Sequence, residues 1–279
     1  MHFNAECKGL SVMSYTNIIT LTTDFGLKDP YVGQMKGAIL KRNISSRIFD
    51  LTHAINPHDI LAGAVTIRTS YRYFPDGTIH LVVVDPEVGS QRGILAAKGD
   101  NHLFIAPDNG LLSLLVMDEK IQRIHRVENS SLFPAEVSGT FHGRDIMAPV
   151  AAALAAGLPI DRVGPEVSFS DCVQLDIPEP EIDNNRISGQ MLHIDHFGNI
   201  KTNITTRHLS RFQPATFTGI TISDHTINAI SSTYSDQPAG ELVALIDSSG
   251  YLEIAVNRGN AAELTGCSAG EPIIVQYGS

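Results

Sequence analysis

The segment His80 to Arg92, HLVVVDPEVGSQR, holds an unbroken apolar run, Leu81 to Val84, cut off by Asp85. A strand with one wet face alternates, whereas a continuous run suits a strand covered on both faces of a parallel sheet. Asp85 then stands at the strand's carboxyl end. Pro86 cannot donate to a sheet ladder and Gly89 tolerates a tight turn, so an irregular loop should follow and carry Arg92. Ligands of open α/β sheets bind beyond the strand carboxyl ends, which makes this loop a candidate active-site wall. A plain Asp–Arg pair tying down the loop fits the same residues.

The pattern repeats upstream. Ile18 to Thr22, IITLT, is β-branched and ends at Asp24; Asp29-Pro30 then offers a cap with proline at the first helical position, before Val32, Met35, Ile39 and Leu40 at helical spacing. RIFDL reads as a short strand, and Asp59 caps a helical run that stops before Pro75-Asp76-Gly77. Strand, helix, strand, helix, strand is the signature of a mainly parallel sheet wrapped by helices. Gly93 to Ala106 reads as two strands about Gly99-Asp100-Asn101, Asp108 as the cap of a short helix, and MAPVAAALAAGLP as an Ala-rich helix closed by Pro159.

From Ser170 the texture changes to proline and acidic residues, and after Arg186 short alternating runs dominate, as in a small barrel or sandwich. The expected organisation is an extension over 1–16 with an alternative start at Met13, an α/β domain over 17–172, a linker over 173–185 and an all-β, barrel-like domain over 186–279. A net charge of −10 and the lack of a basic run exclude a nucleic-acid or anionic-membrane surface and favour a small-molecule partner. Cys7, Cys172 and Cys267 are odd in number and widely spaced, so no disulfide framework or zinc motif is implied, and a reducing cytoplasm fits. No secretory leader or membrane-spanning run is read.

Asp24, Asp85 and Asp108 at element ends, His142 before a helix, and Arg92 and Arg144 nearby could serve several chemistries. No compact ligand spacing points to a metal, no glycine-rich nucleotide motif follows the first strand, and no serine elbow is present. Water or a small anion remains as the attacking group. Arg144 and Asp145 suit a helix-start ion pair as well as a substrate contact and stay unassigned. His53, His58 and the remaining histidines show no paired spacing and read as surface or loop groups.

Six blocks, TTDFGLKDPYVGQMKGAI, VVVDPEVG, APDNGLL, GTFHGRDIMAPVAAALAAG, DHFGNIKTNI and DSSGYLEIAVN, together resemble the S-adenosylmethionine hydroxide adenosyltransferases, relatives of the fluorinase and chlorinase. The resemblance runs from Ile18 to the C-terminus. It implies an α/β domain joined to a β-barrel domain, a homotrimer with the substrate between one subunit's first domain and its neighbour's second, and attack of water on the ribose C5′ to give adenosine and L-methionine with no cofactor. It assigns water activation to Asp85, Arg92 and His142. It places Asp24 on the ribose hydroxyls, Phe197 and Tyr234 against the adenine, Asn199 at its edge and Ser248 on the methionine carboxylate, with Gly143 and Arg258 also binding substrate. The halogenases carry tyrosine where this chain has Asp85, which disfavours a halide reaction; a non-catalytic nucleoside-binding protein is the rival of another class. Glu87 departs from the family's usual glycine in DPGVG.

The chemistry fits these residues. A sulfonium leaves as neutral methionine and needs no general acid, so the demand falls on the nucleophile. A dry pocket and in-line placement of C5′ favour attack. His142, with an ordinary pKa near ~6.5, is expected to accept a proton while Asp85 and Arg92 orient the water or the ring.

Overall fold

The computed structural model describes residues 16–212 and 216–278. Cys7, Met13 and all but the last residue of the expected extension lie outside the described residues. Contacts divide the chain into two compact units, Met1–Leu175 and Asp176–Ser279.

In the first unit β1 (Ile18–Thr23) is buried throughout, as its β-branched sequence requires. α1 (Tyr31–Arg42) follows, and the carbonyl of Pro30 accepts the first helical bond from the Gln34 amide. Proline is therefore the cap itself, and Asp29 lies one residue outside the expected place. β2 (Arg47–Thr52) leads to α2 (Ile60–Ser70), which Asp59 caps by accepting from the Ala62 amide at 2.9 Å. The remaining elements are β3 (Ile79–Val83), β4 (Ile94–Gly99), β5 (His102–Pro107), α3 (Ser113–Met117), β6 (Arg123–Arg126), a π-helical turn Gly143–Met147 running into α4 (Ala148–Ala155), and β7 (Glu166–Val167).

The strand order is β2-β1-β3-β5-β4-β6-β7. Neighbours from β2 to β5 are parallel, but β4, β6 and β7 join antiparallel, so the sheet is mixed where a mainly parallel one was expected. The cause is the two-residue turn between β4 and β5: Asp100 and Asn101 have φ of 49° and 64°, the left-handed pair of a tight hairpin turn.

Alternate residues of β3, with Val84 just past its end, serve both faces. Ile79, Leu81 and Val83 pack with Val32, Met35 and Ile39 of α1 and with α4, whereas Val82 and Val84 pack with Ile67 of α2 and with Leu111 and Leu115. The result is a helix–sheet–helix sandwich with β3 near its centre. α4 ends earlier than Pro159: Gly157, at φ 94°, donates to Leu154 O and the Leu158 amide to Ala153 O, a left-handed glycine cap.

The histidines also depart from expectation. His53, His80, His102 and His125 are interior. Each finds a ring partner: His80 Nδ1 meets Thr20 Oγ1 at 2.8 Å, His80 Nε2 meets His102 Nδ1 at 3.2 Å, and His125 Nδ1 meets Gly164 O at 3.0 Å. Burial, with His102 beside it, pushes the His80 pKa down to about 3, so it stays neutral.

The second unit is built from β8 (Glu181–Ile182), β9 (Arg186–Ile194), β10 (Ile200–Thr205), α5 (Thr206–Leu209), β11 (Phe217–Ile222), β12 (His225–Ile227), β13 (Ile230–Ser231), β14 (Leu242–Ile246), β15 (Tyr251–Val256), α6 (Ala261–Thr265) and β16 (Pro272–Tyr277). Its sheet runs β12-β11-β16-β9-β10-β15-β14-β13, with β8 on β9, and β12 comes back against β14 to nearly close a barrel. Ile187, Ile200, Ile220, Leu252, Ile254 and Val275 fill it.

Candidate active site

A cleft of about 320 Å³ opens in the first unit where β1 and β3 end, a volume suited to a small ligand. Phe25 comes from the turn after β1, Tyr31 and Gln34 from the start of α1, Val83, Asp85 and Val88 from the end of β3 and its loop, and Ser138 with residues 140–144 from the approach to α4. The two loops lock together at Gly89: its φ is 83°, and a Cβ there would stand 2.1 Å from Gly139 O. Glu87, one residue past Pro86, has no positive φ and is exposed, so the turn forms without the family's glycine.

Asp85 and Arg92 form a two-pronged ion pair, Nε to Oδ1 at 2.9 Å and Nη2 to Oδ2, with both side chains 4% exposed. Arg92 Nη2 also lies 3.0 Å from His142 Nδ1. A guanidinium only donates, so Nδ1 is the acceptor and the neutral ring carries its proton on Nε2. Burial first, then the Arg92 charge, lowers the His142 pKa from its ordinary value, against opposing pulls from Asp85 and Asp145. His142, expected to accept a proton, is thus held by Arg92 with Nδ1 occupied and the proton of the neutral ring on Nε2.

Asp24 is half-buried and does not line the cleft, though its neighbour Phe25 does. Its Oδ2 accepts from the His58 amide at 2.9 Å. Asp108 is neither a cap nor a member of this group. α3 begins at Ser113 with no side-chain cap, and Asp108 instead accepts from the Val173 amide at 2.8 Å and faces Arg126 at 3.5 Å. Arg144 and Asp145 do form an ion pair, Nε to Oδ1 at 2.6 Å, which together with the Ser138 amide holds the Asp145 pKa low. Sequence reasoning missed the aromatic lining. Phe25, Tyr31 and Phe141 meet edge to face with centroids 5.5–5.8 Å apart. Phe25 and Phe141 adjoin Asp24 and His142, a proximity that could have flagged them.

Gly143 is buried in the cleft floor, with Val83 and Met35 at the distance of an added Cβ. In the second unit the other candidates occupy turns. Phe197 is 71% exposed, and Asn199 donates through its amide nitrogen to Asp195 Oδ2 at 3.1 Å. This turn joins the segment after β15, which carries exposed Arg258, through the Ala262 amide bonded to Gly198 O at 3.0 Å. Tyr234 donates to Glu253 Oε1 at 2.8 Å; burial and that bond push its pKa up to about 12. Exposed Ser248 follows Asp247, which Lys201 pairs with.

Among the described residues no group of three or more His, Cys, Asp or Glu could hold a metal ion. No helix there is long and apolar enough to cross a membrane, and Cys172 and Cys267 are free thiols.

The sequence model described as the SAM hydroxide adenosyltransferase N-terminal domain matches residues 19–164, and that of the C-terminal domain matches 189–274. The (R)-S-adenosyl-L-methionine hydrolase of Salinispora tropica is 35% identical, over 95% of this chain and 100% of its own. A fluorinase of Nocardia brasiliensis is 29% identical, over 94% and 97%. A crystal structure described as an uncharacterized conserved protein from Thermotoga maritima superposes with a TM-score of 0.85 at 35% identity, covering 92% of this chain and 99% of that one. With both units matched in order, the chain belongs to the SAM hydroxide adenosyltransferase family.

Proposed function

We propose that the protein hydrolyses S-adenosyl-L-methionine to adenosine and L-methionine without a metal or other cofactor. The observation that carries this reading is Arg92 joined at once to Asp85 and His142 beside the cleft, in a chain more similar to a named hydrolase than to a fluorinase.

Hydroxide attacks C5′ opposite the sulfur, the proton of its parent water having passed to solvent. The C–O bond forms as the C5′–S bond breaks, the electron pair passes to sulfur, and methionine departs as a neutral thioether with one proton released per turnover. The three side chains favour an anionic nucleophile: Arg92 supplies positive charge, and His142 Nε2–H donates to the oxygen. Asp85 holds the guanidinium in place rather than taking the proton. A hydroxide-like oxygen attacking a cation disperses charge, and the aromatic walls of Phe25, Tyr31 and Phe141 lower the cost of that step by excluding water.

Asp24 would hold the ribose diol. Phe197, Asn199, Tyr234, Ser248, Arg258 and Gly143 would bind adenine and methionine as the resemblance assigns them. Exposure of Phe197 and Tyr234 supports a homotrimer in which these turns serve a neighbouring subunit. The test is product analysis of purified protein with S-adenosylmethionine, with and without chelator and excess chloride. Adenosine and methionine in every condition are expected. A 5′-chloro nucleoside as main product, or activity lost to chelator and restored by zinc, overturns the reading. A fully active monomer in sedimentation overturns the trimer.

A further inference from the structure

β2 lies parallel to β1, but their register slips between Leu21, opposite Asp50, and Thr22, opposite Thr52. The slip sets His53, just past β2, beside Thr23 at the end of β1. His53 is 5% exposed, and its Nδ1 is 2.9 Å from Thr23 Oγ1, which also accepts from the Phe25 amide at 3.2 Å. Across the ring, Nε2 meets Asp50 Oδ1 at 3.0 Å, off the ideal hydrogen-bond line, while Asp50 Oδ2 accepts from Lys36 Nζ at 2.7 Å. Burial opposes the Asp50 charge, yet the bonds from Lys36 and His53 keep its pKa below the ordinary value. An ionised Asp50 only accepts, so Nε2 carries a proton and, in the neutral ring, the Thr23 hydroxyl donates to Nδ1.

His53 holds the same turn through its main chain, because the Gly26 amide donates to His53 O at 2.8 Å. Thr23 and Gly26 bracket Asp24 and Phe25, so one buried residue grips both ends of the pair. The segment also reaches Asp24 itself: the His58 amide donates to Oδ2, with His58 held at φ 70°, a conformation that persists in a non-glycine residue only where its surroundings enforce it. That amide anchors the carboxylate through one of its acceptor sites, and the others remain for ligand hydroxyls.

We propose that His53 is a positioning residue for the Asp24–Phe25 turn, fixing where Asp24 meets the ribose diol; this rests on the reading of Asp24 given above. The test uses full-length enzyme, S-adenosylmethionine kinetics and melting curves for Asp24→Ala, His53→Ala, their double variant, His53→Asn and Thr23→Val. Asp24→Ala should raise KM by about tenfold or more, and His53→Ala by roughly fivefold with kcat within about twofold. If His53 acts through Asp24, the double variant should bind no worse than Asp24→Ala alone. His53→Asn keeps a polar atom near the Nδ1 position and should restore KM; Thr23→Val should raise it, and that pair decides the matter even where His53→Ala does not fold. A normal KM in Thr23→Val, an additive double variant, or no rescue by asparagine overturns the proposal. A normal KM in Asp24→Ala overturns the ribose reading and this proposal with it, whereas an impaired Asp24→Ala beside a normal His53→Ala overturns this proposal alone.

Discussion

Arg92 donates through Nη2 to His142 Nδ1 across 3.0 Å, and that single contact decides which ring nitrogen carries the proton. His142 therefore meets a nucleophile as a donor. His142→Ala should lower kcat by ~10²-fold or more with substrate affinity nearly unchanged. His142→Gln, whose amide reaches toward the Nε2 position, should recover part of the loss. A glutamine variant as poor as alanine would return His142 to the role of base. Single-turnover kinetics and calorimetry separate the two terms.

The pH profile follows from the same contact. Protonating His142 places a hydrogen on Nδ1, facing Arg92, and burial with that neighbouring charge lowers its pKa from 6.5. The neutral ring is the form present above 6.5 and lost as the pH falls through the lowered value, so kcat/KM should show a His142-dependent acid limb below 6.5, missing in His142→Gln and separate from the rise with pH that ionisation of the nucleophile contributes. A His142-dependent limb centred above 6.5 would contradict the assignment.

Asp85→Ala should be unstable as well as inactive. Both side chains of the Asp85–Arg92 pair are 4% exposed, and removing one partner strands a buried charge, a loss of about 3–5 kcal/mol. Removing both, as in Asp85→Ala with Arg92→Met, should recover much of the urea midpoint and none of the activity. A single variant with normal stability would mean that water reaches Arg92.

Phe197→Ala separates binding from folding in the opposite sense. At 71% exposure the ring contributes little to its own unit, so the melting temperature should stay within about a degree or two. Loss of an aromatic contact with adenine should raise KM about tenfold. A lower melting temperature with unchanged KM would remove Phe197 from the site.

What could be read from the chain alone was what is encoded locally. Asp85 and Asp24 end strands because apolar runs stop there, and Asp59 caps a helix because its partner, Ala62, is three residues away. Asp108 looked the same but bonds to Val173 and faces Arg126, groups that only the folded sheet brings near. The burial of the histidines is hidden in the sequence for a like reason. Nothing in the spacing of Thr20, His80 and His102 says that strands β1, β3 and β5 lie side by side. The mixed sheet follows from two left-handed residues, Asp100 and Asn101, whose tight turn reverses the chain between β4 and β5.

The π-helical turn Gly143–Met147 lets one continuous element serve two phases. An α-helix advances about 100° per residue, and the wider turn takes up one residue more than α4 needs. Ala148–Ala155, buried along its whole length, can thus hold its own packing on α1 and the sheet while His142 and Gly143 meet the cleft, two orientations that a regular helix would force into a fixed relation. Deleting a single residue here would preserve the packing of Ala148–Ala155 and swing His142 away from Arg92. Length at this point in the chain is therefore as much a determinant of chemistry as the identity of any side chain.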